Sequence, residues 1–517
     1  MVAKTLMLQG TASSVGKSLL VAALCRIFRQ DGYRVAPFKA QNMALNSFVT
    51  REGGEMGRAQ VVQAEAAGIE PSVDMNPILL KPEADARAQV IVRGRVYATL
   101  PARNYYSLKR YLLSVVEESL TRLRSAYDLV VIEGAGSPAE VNLKDDEIVN
   151  MRVARMAGAP VLLVGDIDRG GVFASLVGTL ELLEPAERAL VRGLIINKFR
   201  GDLSLLRPGL DFLERRTGLP VLGVVPYLRD IRIAQEDSVY LEQRRSHVQE
   251  EALVDIAVIR LPHISNFDDF DPLEQEPGVS LRYVATVEEL GCPDLIVLPG
   301  TKSTVTDLRF LQRTGLARRI VELATSGVAV IGICGGFQML GQEIHDPQHV
   351  ESDEPMVAGL ALLPVRTVFL PEKATYQVRA RVVNLHGLLK YAGGYEIVGY
   401  EIHMGRSDLS GGQIAFRVIE RCGLPMEEPD GVLNPTGHIL GTYIHGLFQN
   451  QAVRLSLLRY LGERRGRSHP EWGSVISKEE HYDWLAAAVR RSLDMDAIYK
   501  ICGLEGSRPG VSQGETY

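Results

Sequence analysis

Two stretches of the chain carry residue types at spacings that support chemistry. In the second half, Gly332-Ile333-Cys334-Gly335-Gly336 follows the apolar run that begins at Val328 and leads into an apolar helical pattern ending at Leu340. This order predicts Cys334 on a tight strand-to-helix turn, a cysteine counterpart of the nucleophile elbow. The glycines permit the strained backbone and close approach that such a turn needs. The helix that follows points free N–H groups at the sulfur, and a helix N-terminus lowers a thiol's pKa. An isolated cysteine would read as core; the glycine bracket reverses that reading. Far downstream, His438 to Tyr443 reads as a strand that delivers His445 in GTYIHGLF. Alone, His445 would read as structural, but with the elbow upstream it is the proton-transfer partner that a cysteine nucleophile requires. Asp294 to Pro299 is a further buried strand ending on Gly300-Thr301-Lys302-Ser303, where backbone N–H groups could face a developing oxyanion.

In the first half, Lys4 to Gln9 reads as a short buried strand, and Gly10-Thr11-Ala12-Ser13-Ser14-Val15-Gly16-Lys17-Ser18 opens a helix whose apolar positions continue through Leu24 and Ile27. This is a phosphate cradle: small residues turn backbone N–H groups inward, Lys17 can bridge the outer phosphates, and the Ser18 hydroxyl can ligate magnesium. Gly10, Thr11, Ser13, Val15, Gly16, Lys17 and Ser18 are the expected nucleotide contacts. Five residues separate Gly10 from Gly16, one more than in a Walker A loop. A second strand, Tyr33 to Phe38, ends on Lys39, Gln41 and Asn42, where a phosphate or acceptor substrate would lie in an open α/β sheet. A third, Tyr127 to Ile132, delivers Glu133, the expected magnesium partner by analogy with a Walker B carboxylate. Asn142 in the following polar loop could orient metal-bound water or substrate, or be an ordinary solvated residue. A fourth strand leads to Asp166, a second metal candidate, and a fifth ends at Asn197, suited to reading a nucleotide base through its amide.

These side chains require elements to position them. Buried strands alternating with helices imply an α/β protein with parallel, doubly covered sheets. The polar stretch from Arg232 to Gln249 reads as a linker, and a new α/β rhythm starts with VDIAVIRLP at 254–262. Asp268, Asp269 and Asp271 after that strand read as helix capping or as the lining of an interface with the first domain. The expected organisation is a P-loop domain over 1–240, a second parallel-sheet domain over 252–450, and a helical C-terminal tail over 451–517 with a frayed polar end.

Composition narrows the function classes. A net charge of −6 with a pI near 6.0 gives no footprint for nucleic acid or an anionic membrane. Five widely spaced cysteines, odd in number and without a C-x-x-C pair, argue for a reducing cytosol and against a zinc or disulfide framework. No secretory leader or bilayer-length apolar run is evident, so a soluble cytoplasmic protein is expected.

With both sites in hand, the sequence resembles the cobyric acid synthases, glutamine-dependent amide-forming ligases of cobalamin biosynthesis, over nearly its whole length. PFKAQNMALNS, VIEGAGSPAEVNL, GDIDRGGVFAS and NKFRGD are similar to the blocks of their dethiobiotin-synthetase-like P-loop domain. LPHISNFDDFDPL, PGTKST, GICGGFQML, YEIHMGR and GTYIHGLF are similar to those of a flavodoxin-like class I glutamine amidotransferase domain. The resemblance implies glutamine hydrolysis at Cys334 through a thioester, with His445 moving protons, Gly300 and Gly335 as oxyanion donors and Gln338 holding glutamine. It further implies ATP- and magnesium-dependent phosphorylation of the b, d, e and g carboxylates of adenosylcobyrinic acid a,c-diamide, followed by attack of ammonia. Ordinary class I members carry a glutamate two residues after the histidine; here that position is Leu447, as in the cobyric acid subgroup, which leaves the group that orients His445 unassigned. The alternatives are a cobyrinic or hydrogenobyrinic acid a,c-diamide synthase and a noncatalytic ParA-like nucleotide switch.

Overall fold

The computed structural model describes residues 2–84, 87–101, 105, 108–228, 252–469 and 471–504. The linker expected at 232–249 and the polar end of the tail from 505 lie outside these. The chain divides into two units, residues 1–43, 56–234 and 477–517 in the first, 44–55 and 235–476 in the second.

The first unit is built on six strands, all parallel. Their order is Val221–Pro226, Val191–Phe199, Val161–Asp166, Lys4–Gly10, Leu129–Glu133, Val35–Phe38. The central strands read as nearly unbroken apolar runs because both faces are covered: Leu129–Glu133 and Val161–Asp166 are buried at every position. The carboxyl ends of these strands bring Gly10, Lys39, Glu133, Asp166 and Asn197 to one edge, with Leu8 in register with Glu133 and Asp166 with Asn197. A small sheet of Gln41–Met43, Ile78–Ala84, Arg87–Val92 and Arg95–Pro101 follows the second strand.

The second unit carries five parallel strands in the order Val279–Val284, Val254–Ile259, Leu295–Leu298, Ala329–Ile333, Ile439–Thr442. Beyond the last, the sheet continues antiparallel through Leu424–Leu433, Gln413–Arg421 and the 17-residue strand Arg366–Val382. The strand Glu396–Asp408 pairs with Arg366–Val382 and leaves its other edge facing the candidate nucleophile. Residues 44–55 pack within this unit: Ser47 N donates to Asn266 Oδ1 (3.3 Å), and Lys373 pairs with Glu55 (2.5 Å).

The helices after residue 450 do not form a separate appendage. Gln451–Arg465 buries Val453, Leu457, Leu458 and Leu461 in the core of the second unit. Lys478–Ser492 and Met495–Cys502 bury Tyr482, Leu485, Val489, Ile498 and Tyr499 with Leu20, Leu24 and Phe28 in the core of the first. Ion pairs from Arg26 to Glu479 (2.6 Å) and Asp483 (2.7 Å) fix that packing. The physical reason is amphipathicity: each helix has an apolar face that only a core can cover. No described helix is long and apolar enough to cross a membrane.

Candidate active sites

Cys334 closes the strand Ala329–Ile333 and caps the short helix Gly335–Leu340 with φ 54° and ψ −111°, a conformation that costs a non-glycine residue of order 1–3 kcal/mol. The turn is held by Cys334 N donating to Thr442 O (2.8 Å). Glycine at 336 is compulsory, because a Cβ there would collide with the Leu298 carbonyl. The Cys334 thiol donates to Ile402 O (3.2 Å), and its proximity to His445 helps raise that histidine's pKa. A Cβ on Gly300 would lie 2.8 Å from His445 Cε1, and one on Gly335 2.7 Å from Thr301 Cγ2. Gly300, Gly335, Cys334 and His445 therefore converge.

The free edge of Glu396–Asp408 supplies one wall. Tyr400 exchanges backbone hydrogen bonds with His445 (2.9 and 3.2 Å) and stacks on its ring, with centroids 5.3 Å apart. Two residues on, Ile402 O takes the thiol; two further, Met404 O accepts from Gln338 Nε2 (2.9 Å). Gln338 is itself buried and bonded to Thr304 and Tyr443, so its amide is held inside the protein. A cavity of about 1030 Å³ opens beside Tyr443, lined also by His403, Glu401 and Arg406.

Sequence reasoning missed one neighbour of the histidine. Asp269 Oδ2 lies 2.7 Å from His445 Nδ1, and Asp269 Oδ1 accepts from Gly446 N (2.7 Å), with both side chains buried. Burial lowers the His445 pKa, but Asp269, through its charge and hydrogen bond, and Cys334 together outweigh it and raise the pKa to about 10. The run of aspartates in LPHISNFDDFDPL was the available signal; capping and interface readings competed for it.

At the first site, Gly16 adopts φ 98°, and a Cβ there would collide with the Asn197 amide, which donates to Val15 O (2.8 Å). Asn197 thus braces the loop. Thr11 N donates to Val164 O (2.9 Å), extending the sheet, while Ser13 is exposed at the loop tip. Lys17 Nζ donates to Ala12 O (2.9 Å) and Gly136 O (3.1 Å), curling over the loop. Ser18 Oγ donates to Glu133 Oε1 (2.8 Å), the same oxygen that pairs with Lys39 Nζ (2.9 Å). Gln63, which sequence reasoning passed over on a helix rich in Ala and Gln, donates to Glu133 Oε2 (2.5 Å).

The remaining candidates have partners outside that cluster. Asp166 pairs with Lys198 Nζ (2.8 Å) and accepts from Asp168 N (2.9 Å). Asn42 is buried and donates to Gln60 (3.0 Å); Gln41 accepts from the Tyr105 hydroxyl. Asn142 is exposed on the turn Val141–Asp146. No cluster of three or more His, Cys, Asp or Glu suited to a metal exists among the described residues. The Ser18 hydroxyl and Glu133 carboxylate nevertheless fit magnesium, which takes hard oxygen ligands and keeps several waters. Close by, Gln63 Oε1 is buried and has no hydrogen-bond partner among the described residues.

Comparison with known proteins agrees with both halves. Residues 6–239 match the model of the CobQ/CobB/MinD/ParA nucleotide binding domain, and residues 255–453 that of the CobB/CobQ-like glutamine amidotransferase domain. The chain is 56% identical over 507 residues to cobyric acid synthase of Dehalococcoides mccartyi, covering 98% of this chain and 100% of that one. It is 56% identical over 515 residues to cobyric acid synthase of Moorella thermoacetica, covering 99% of each. Cobyric acid synthase of Sorangium cellulosum is 56% identical over 519 residues, covering 98% of this chain and 100% of that one. Because relatives 56% identical cover 98–99% of the chain and the two domain models match its two halves, the chain belongs to the cobyric acid synthase family.

Proposed function

We propose that this protein amidates the b, d, e and g carboxylates of adenosylcobyrinic acid a,c-diamide, using ATP for activation and glutamine as nitrogen donor. The observation that carries this reading is the pairing, in one chain, of a cysteine elbow converging with His445 and a phosphate loop ending in Lys17 and Ser18. The thiolate of Cys334 attacks the side-chain amide carbon of glutamine; the S–C bond forms as the C–N bond breaks, and His445 protonates the departing ammonia. Backbone N–H groups at Gly300 and Gly335 stabilise the oxyanion. Water then cleaves the thioester to glutamate, with His445 taking its proton.

In the first unit a substrate carboxylate oxygen attacks the γ-phosphorus of ATP, giving an acyl phosphate and ADP. Ammonia displaces phosphate from the acyl carbon, leaving the amide. Lys17 neutralises the outer phosphates, and Lys39 offers a second cation beside Glu133. Ser18 and Glu133 would hold the magnesium ion that accompanies ATP, whose charge offsets that of the phosphates. We assign no substrate contact to Asn42 or Gln338, whose amides are engaged internally. The five cysteines are all free, which fits a reducing cytoplasm.

The test is Cys334→Ala assayed with two nitrogen sources. Amidation driven by glutamine should vanish while amidation driven by ammonium salts persists, because the activating site is untouched. Retained glutamine-driven turnover would remove Cys334 from the mechanism.

A further inference from the structure

We propose that Asp269 is the residue that positions His445 for proton transfer, the place left open by Leu447. The inference rests on the assignment of Cys334 and His445 as the glutaminase pair. Three observations carry it. Both carboxylate oxygens are committed to the histidine segment, Oδ2 to the imidazole Nδ1 and Oδ1 to the next backbone amide, Gly446 N, each at 2.7 Å. Two contacts to consecutive residues fix the ring's rotation as well as its tautomer, so Nε2 is the nitrogen left to serve the sulfur.

The aspartate is itself held. It sits in the turn Phe267–Phe270, whose preceding residue Asn266 adopts φ 53° and donates to Ser47 O (3.1 Å) and to the Tyr400 hydroxyl (3.0 Å). Phe267 and Phe270 are buried on either side. Tyr400 in turn stacks on the His445 ring from the edge strand. The imidazole is thus gripped at Nδ1 by one element and across its face by another.

Finally, the pair is dry. Asp269 and His445 side chains are each 2% exposed, so water cannot replace the carboxylate. The titratable groups near His445 are Asp269 on that turn, Cys334 on the elbow, and Tyr400 and His403 on the edge strand. Among these Asp269 alone supplies an acceptor at Nδ1.

Asp269→Asn keeps the shape and removes the charge. Its glutaminase kcat should fall on the order of 10²-fold or more, the usual worth of a positioned general acid–base. The alkaline limb of its pH profile should also move to lower pH, because without the carboxylate the imidazolium loses its proton earlier. Asp269→Glu should recover part of the activity, and ammonia-driven amidation by Asp269→Asn should stay near the parent's. An unshifted alkaline limb, or parental glutaminase activity in Asp269→Asn, overturns the inference. If Cys334→Ala also retains glutaminase activity, it is the underlying assignment that fails.

Discussion

Two opposing effects set the charge on His445: burial lowers its pKa, and Asp269 at Nδ1, with a smaller contribution from Cys334, raises it further still, to about 10. A histidine that titrates near 6.5 in the unfolded chain is therefore protonated in the folded site at neutral pH. The linkage has a definite sign. Because the folded pKa is the higher, the pair's contribution is complete below about pH 6.5 and is lost as the pH rises toward about 10. The stability gap between the parent and Asp269→Asn should narrow over that interval, as measured by chemical denaturation at fixed pH values. A gap that widens with pH would contradict the assignment. At this scale much of the placement was legible. Cys334, His445, Lys17, Ser18 and Glu133 stand where short-range patterns put them, in strand–turn–helix order or at strand ends. Asp269 was not, because it meets His445 across 176 positions of sequence, and no local spacing records such a contact. Gln63 was hidden likewise, its contact with Glu133 being made from a helix that looks merely structural.

Among the elements, the elbow and the edge strand divide the work of the second site. The elbow depends on close packing of backbone on backbone: Gly332 lies under Gly336, and Gly336 against the carbonyl of Leu298. Gly336→Ala should therefore destabilise the second unit by about 1–3 kcal/mol through overpacking, visible as a lowered thermal midpoint, and an unchanged midpoint would mean the elbow is more yielding than its geometry. The edge strand works by period: the carbonyls of Tyr400, Ile402 and Met404 fall on one edge and meet His445, Cys334 and Gln338 in turn. The parallel strands were readable as apolar runs. The antiparallel extension was not, because Arg366–Val382 mixes buried, half-buried and exposed positions over 17 residues and looks like several short segments. Only YEIHMGR, on the strand Glu396–Asp408 that pairs with it, marked this region.

For the whole molecule, the C-terminal helices are structural parts of the two units. Leu485 is fully buried against the helix that follows the phosphate loop, so Leu485→Ala should cost the first unit about 2–5 kcal/mol. Its thermal midpoint should fall, and nucleotide should partly restore it. Sequence could not reveal this destination, since an amphipathic helix announces its apolar face and not the core that receives it. The two sites should separate functionally. Lys17→Ala should abolish amidation from either nitrogen source while glutamine hydrolysis continues, because activation precedes the attack of ammonia. Undiminished ammonia-driven synthesis would remove Lys17 from the mechanism.

The most direct test of the central claim is mass spectrometry of the corrinoid after incubation with adenosylcobyrinic acid a,c-diamide, ATP, magnesium and glutamine labelled with ¹⁵N in its side-chain amide. The account predicts four successive amidations, each carrying the label. An unchanged corrinoid beside active conversion of the undiamidated acid, or new amides without label, would contradict it.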